Sequence, residues 1–134
     1  MLKQNVKDIE AGGKKYRITK MDARAGSYVA TKIALIGAPL LMNKKFDNEA
    51  LATLLPSLNR RDFDEIQTIL LKCVQKLNEK DGHLLPEPVL TADGSFVDEE
   101  LQYNVAAVMN ITVQAAMFNV GAFFAEAGLP VPAK

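Results

Sequence analysis

The spacing of apolar positions changes several times along the chain, and each change predicts an element. Val6 and Ile9 on one side and Tyr16 and Ile18 on the other flank Ala11-Gly12-Gly13-Lys14. Glycines there supply the positive φ of a tight turn, so residues 5–20 predict a β-hairpin. Asp22 is a good N-cap for a helix over 23–37, with Ala25, Val29, Ile33 and Ile36 at spacings of three and four and Gly37 and Pro39 as its stop. Ala23, Ala25, Gly26, Ser27, Ala30 and Ala34 make this helix thin enough for a close neighbour. Asp47 then caps a short helix with Leu51, Leu54 and Leu55 on one face, closed by Pro56.

The strongest helical stripe is Phe63, Ile66, Leu70, Cys73, Val74 and Leu77, which predicts a one-sided surface helix over 62–79 with Asp62 and Glu65 at capping-box spacing. Residues 80–97 break the pattern with Gly82, Pro86, Pro88 and Asp93-Gly94 and predict a connector. Within it, Val89-Leu90-Thr91 and Ser95-Phe96-Val97 can form a second small hairpin. Asp98, Glu99 and Glu100 place acids in the first turn of a helix predicted over 98–127, ended by Gly128 and Pro130. The expected fold is therefore mainly α: one domain over 1–134 with an N-terminal hairpin at 5–20, a helical body at 22–79, the connector and a long C-terminal helix, about four helices in all.

That last helix is unusual because Leu101 to Ala125 holds no charged residue in 25 positions. A bilayer crossing is rejected: Gln102, Asn104, Asn110, Thr112, Gln114 and Asn119 are spread round it, and no Lys or Arg flanks it closely. A helix without a charged face is either the centre of the domain or keeps part of its surface for a second chain. Val105, Met109, Met117, Phe123 and Phe124 serve in both cases, and methionine suits a surface that must adapt to its partner.

Charge sharpens this picture. Sixteen Lys+Arg balance sixteen Asp+Glu, so no global excess draws the chain to nucleic acid or an anionic membrane. The balance is uneven along the chain: residues 1–80 carry 15 basic and 9 acidic groups (+6), and residues 81–134 carry 1 and 7 (−6). Lys14, Lys15, Arg17, Lys20, Arg24, Lys32, Lys44 and Lys45 face only Asp22 within 11–46. Either the two halves pair in the fold, or the front half offers a basic face, with Lys14, Lys15, Arg17 and Arg24 as partner-binding candidates. With only Tyr16, Tyr28 and Phe46 among these bases and no recognition-helix or RNP pattern, nucleic acid is not the expected partner.

Catalytic chemistry finds little support, and neither a metal nor a cofactor is expected. His83 is the single histidine and sits in a turn, Asp81-Gly82-His83. Cys73 lies in an apolar stripe and reads as a buried, inert thiol. No Cys, His or Asp arrangement has ligand or triad spacing, and Glu99 and Glu100 point apart on a helix. Gly12-Gly13-Lys14 lacks the first glycine and the Ser/Thr of a phosphate loop. The single cysteine and the absence of an apolar stretch in MLKQNVKDIE predict a chain that stays in a reducing cytoplasm.

The opening GGKKYRITKMDARAG, the helix ending IALIGAPLL, and LLPSLNRRDFDEIQTILLKCV, in this order, resemble the phage tail assembly chaperones of long-tailed bacteriophages over about residues 10–125. The resemblance implies a non-enzymatic protein of the host cytoplasm that acts in virion morphogenesis and is absent from the mature virion. It implies binding to the tape measure protein, which would keep that long helical molecule soluble, and recruitment of the tail tube protein. A homo-oligomer is compatible with it. The family often makes a longer frameshifted product, and an end at Val131-Pro132-Ala133-Lys134 fits the short form. A structural virion component, such as a neck or tail-completion protein, is the alternative.

Overall fold

A computed structural model describes residues 5–41 and 52–126, with side chains for 5–34 and 52–121. The predicted first hairpin is present as β1 (Val6–Ala11) and β2 (Lys14–Thr19), in the register Ile9↔Tyr16 and Ala11↔Lys14. Gly12 and Gly13 both take positive φ, +58° and +77°, which a two-residue type I′ turn requires. Gly12 is also crowded: a Cβ there would stand 3.2 Å from Asn104 Nδ2 and 3.3 Å from the Ala107 Cβ, so these neighbours would have to give by a few tenths of an ångström. A Cβ on Gly13 meets nothing within 4 Å. Gly12→Ala should therefore cost about 2–3 kcal/mol, left-handed strain plus displacement of the adjacent helix, and Gly13→Ala only about 1 kcal/mol. Urea unfolding of the two variants side by side measures the difference.

Helix α1 spans Ala23–Leu41, and Asp22 Oδ1 accepts the Ala25 N–H at 2.9 Å as the expected cap. It runs past Gly37 and Pro39, which do not end it. The predicted short helix with its cap Asp47, and Lys44 and Lys45, lie outside the described residues. Its remaining part enters a tight helical turn at Leu55–Ser57, and Leu54 and Leu55 are buried.

The mainly α expectation fails at the next two elements. The next helix, α2, spans Arg60–Leu71 and begins two residues earlier than predicted: Asn59 Oδ1 caps it by accepting the Asp62 N–H at 2.8 Å. Val74–Lys80 is then a strand, β3, and His83–Pro88 a second one, β4. The predicted helical tail and connector are thus a hairpin, turned by Asp81 and Gly82 with φ +52° and +79°. Together with β1 and β2 they form a four-stranded antiparallel sheet in the order β1-β2-β3-β4. The helical stripe misled because Val74 and Leu77 continue its spacing while standing on opposite faces of a strand. Val74 packs in the core with Ile18 across the strand pair. Leu77 is on the other face, opposite Pro86.

The smaller hairpin of 89–97 is reduced to a bridge between Leu90 and Phe96, with Thr91 N–H on Ser95 O at 2.8 Å. The C-terminal helix is also two helices. Asp98 caps α3 (Glu99–Gln102), Tyr103 leaves helical geometry, and Asn104 Oδ1 accepts the Ala107 N–H at 3.0 Å to start α4 (Val105–Glu126). A short amide side chain that can bond to the backbone two or three residues on is a better cap than an interior residue, so the break falls at Asn104. No described helix is long and apolar enough to cross a membrane.

The helices cover one face of the sheet. Ile9, Tyr16, Ile18 and Val74 from the strands meet Val29, Ile33, Ile66, Leu70, Ile111 and Ala115 in one cluster. Around α4, Ala107, Ile111, Thr112, Val113, Ala115, Ala116 and Val120 are all buried, so this helix is the centre of the core. Its polar residues have defined places. Thr112 is fully buried, donates to Val108 O at 2.7 Å and accepts from Gln67 Nε2 at 3.2 Å. Asn119 accepts the Met21 N–H at 2.8 Å and donates to Ala115 O and Thr19 O, joining α4 to the β2–α1 link. Asn110 and Gln114 face outward and bond to each other at 2.8 Å.

Candidate interaction surface

Part of the uneven charge of the chain is paired across its two halves. Lys14 on β2 reaches Asp98 at 3.3 Å and Glu100 at 2.9 Å, and Lys76 on β3 reaches Asp98 at 2.9 Å. Asp98 also accepts the Glu100 N–H at 3.0 Å, so one carboxylate joins the first hairpin, β3 and α3. The hydrogen bond from Lys76, backed by the Glu100 N–H and Lys14, holds its carboxyl down to about 2. Arg17 pairs with Asp8 at 2.8 Å and Lys32 with Asp62 at 3.6 Å, while Lys20 donates to Phe118 O and lies over its ring.

The basic candidates are thereby sorted. Lys14 and Arg17 are committed to intramolecular partners, and Lys15 and Arg24 are exposed with no ion-pair partner among the described residues. Among the described residues, Lys14 and Lys15 stand on opposite faces of β2 and Arg24 on α1, so these candidates are not gathered on one face of the sheet.

The apolar candidates are sorted in the same way. Val105 is 76% exposed, Met109 is half-buried, and Met117 packs against the core. Phe123 and Phe124 lie on α4, and their side chains fall outside the described residues. Sequence reasoning missed Tyr103, which is 79% exposed in the break between α3 and α4. Its exposure follows from the break at Asn104, which one capping asparagine sets and no longer pattern in the sequence marks. Tyr103 and Val105 are the two most exposed large apolar side chains among the described residues. Leu84, Leu85, Val6 and Val97 follow at 41–48%.

Groups suited to catalysis are not assembled among the described residues. No set of three His, Cys, Asp or Glu side chains is placed to hold a metal ion. His83 is exposed on the first residue of β4. Burial pushes the Cys73 thiol up to about 11, which keeps it protonated at neutral pH and a poor nucleophile. The hollow between Ile33, Leu54, Leu55 and Leu58 is wholly apolar and has no room for a water molecule. What the arrangement offers is surface: an exposed Tyr–Val pair at a helix break on a rigid core.

Compared with known proteins, residues 12–130 match the family model described as phage tail assembly chaperone protein, TAC. No curated protein and no solved structure matches the chain.

Proposed function

The chain belongs to the phage tail assembly chaperone family, and from that premise we propose that it binds the tape measure protein and keeps its apolar helices soluble until tail tube subunits assemble around them. Membership supports a role in tail assembly through contacts with tail proteins. The finer reading rests on one observation: Tyr103 and Val105 stand uncovered side by side at the α3–α4 break, while most of the described residues of α4 beyond them pack into the core. An exposed tyrosine is the kind of anchor on which protein interfaces concentrate their binding energy, and Val105 beside it widens the apolar contact. Met109 lies one helical turn beyond Val105 and extends the contact with an adaptable side chain.

In this reading the protein acts without catalysis, in the host cytoplasm, and leaves before the virion matures. Co-expression with the tape measure protein of the same tail is the direct test. The wild-type chain should raise the soluble fraction of the tape measure and co-purify with it. The double variant Tyr103→Ser, Val105→Asp should lose at least tenfold of that yield, because truncating one tyrosine anchor costs about 2–4 kcal/mol and the new carboxylate adds a desolvation cost. Unchanged solubilisation by a folded double variant would remove Tyr103 and Val105 from the interface, and no co-purification of wild type would remove the tape measure as partner. Mass spectrometry of purified virions should find no copy of the chain, and a stoichiometric copy would make it a structural virion component.

A further inference from the structure

The sheet has two edges, and they differ in whether another strand can join them. On β4, Val89 donates its N–H to Val74 O at 3.2 Å, which fixes the odd-numbered residues 83, 85, 87 and 89 as those bonded to β3. Residues 84, 86 and 88 therefore turn their backbone groups toward the free edge. Two of these three are Pro86 and Pro88, which have no N–H to give. Leu84 alone keeps a donor, so this edge is closed to regular pairing.

On β1 the same reasoning gives the opposite result. Lys20 donates to Asn5 O at 3.1 Å and the two-residue turn pairs Ala11 with Lys14, so residues 5, 7, 9 and 11 bond to β2. Val6, Asp8 and Glu10 direct both N–H and C=O outward, and no described residue pairs with them. Strand β1 is a six-residue edge with its hydrogen-bonding groups open.

A second copy is a poor occupant. A two-fold antiparallel pairing of β1 with itself must match open positions with open positions. Every such register that joins three or more residues of β1 sets like charges directly opposite: Lys7 with Lys7, Asp8 with Asp8, Asp8 with Glu10, or Glu10 with Glu10. Directly opposed like charges destabilise strand pairs.

The surroundings of the edge state what would fit instead. On the face turned away from the helices, a strand added to β1 lies one spacing, about 4.8 Å, from Asp8 and Glu10 and two spacings from their cross-strand neighbours Arg17 and Lys15. Asp8 is already bonded to Arg17, but the two acids stand nearer the added strand than the two cations, so the positions opposite them favour cationic side chains. On the other face lies α4. Ala107 meets Gly12 at the end of β1, and at 3.6 residues per turn Asn110 and Gln114 flank Ala107 on the side away from Thr112, which contacts α2. Exposed Ala106 and Asn110 with half-buried Gln114 and Met117 thus form an uncharged stripe on the flank of α4 next to Ala107, the residue that meets the end of β1. Lys7 is the only charge β1 adds on that side.

We propose that the free edge of β1 takes up an extended segment of a partner protein in which cationic side chains, meeting Asp8 and Glu10, alternate with uncharged ones lying under the Ala106–Met117 stripe of α4. This is β-augmentation, in which main-chain bonds supply affinity and alternate side chains supply choice. It does not depend on the tape measure reading, since it uses a different surface and an extended rather than a helical ligand.

The probe is a blocked hexapeptide, Val-Lys-Val-Lys-Glu-Thr, which in antiparallel register sets its lysines opposite Glu10 and Asp8 and its glutamate opposite Lys7. At millimolar peptide the amides of Val6, Asp8 and Glu10 should slow at least threefold in hydrogen exchange measured by NMR, with the Tyr16 and Ile18 amides unchanged. The charge-reversed peptide Val-Glu-Val-Glu-Lys-Thr should give less than a third of that protection, and so should Asp8→Asn, Glu10→Gln with the original peptide. Asp8→Pro removes one edge donor that the hairpin does not use and should abolish protection. Should that variant loosen the hairpin, the peptide N-methylated at the amides facing β1 makes the same test on the intact protein and should not bind. No protection at millimolar peptide, protection confined to β4 or α4, equal binding of the N-methylated peptide, or a dimer that protects the same three amides without peptide would each overturn the proposal.

Discussion

Ile111→Asp is expected to abolish cooperative thermal unfolding, whereas Val105→Asp, six residues earlier on the same uncharged helix, should melt within a few degrees of wild type. Ile111 is fully buried and belongs to the central cluster. Removing its side chain costs about 3–4 kcal/mol, and a carboxylate left in an apolar core adds several more. A domain of this size has about 5–15 kcal/mol to lose, so the folded state does not survive. Val105 is 76% exposed in the first turn of α4, where an acid also meets the positive end of the helix dipole. The net change there should lie within about 0.5 kcal/mol of zero. Circular dichroism melts of both variants decide the matter. A helix whose exposed face were its main business would tolerate both substitutions, and a helix buried on all sides would tolerate neither.

The contrast shows why composition could not assign this helix. Twenty-five uncharged residues are compatible with core or interface, and only the neighbours decide. The described residues give most of α4 to the core and leave its N-terminal flank free. The first hairpin and the Asp22 cap were legible because glycine pairs and capping residues act over a few bonds. The second hairpin had the same kind of signal in Asp81-Gly82, yet β3 shows no alternation, because Lys76 on the core side is spent on Asp98 while Leu77 is buried on the opposite face. Val74 and Leu77, spaced like a helix, outweighed the turn. Pro86 and Pro88, read as loop residues, turn out to occupy the edge-facing positions of β4. The charge halves were visible as arithmetic, but the pairing of Lys14 with Glu100 spans 86 residues and no local pattern announces it. Tyr103 was hidden for a related reason: a break set by one asparagine does not stand out in an uncharged run that holds several other polar side chains.

Asp98→Asn should lower the stability of the fold by about 1–2 kcal/mol at pH 7, and the loss should vanish in acid. The residue joins three elements through Lys14, Lys76 and the N-terminus of α3, and its side chain is only 15% exposed, so solvent screens it little. Asparagine keeps the cap and removes the charge, which isolates the ion pairs from the capping bond. The sign follows from the direction of the shift. In the folded chain the carboxyl is held down to about 2 from 3.8, so the folded state favours the carboxylate. The stabilisation is complete above 3.8 and is lost as pH falls from 3.8 to about 2, where both states bind the proton. Melting curves of wild type and Asp98→Asn should therefore be separated by roughly 5 °C above pH 5 and converge near pH 2. Asp8 and Asp93, whose carboxyls are also held low by Arg17 and by Thr91 with Ser95, contribute equally to both proteins and cancel in the difference. Glu100, exposed at the end of the cluster, adds little to it. Asp98→Ala removes the cap as well and should cost about 1 kcal/mol more at every pH, so the residual gap at pH 2 between the two variants measures the cap alone. A gap between wild type and Asp98→Asn that stays constant down to pH 2 would mean that Lys14 and Lys76 do not hold this carboxylate in solution.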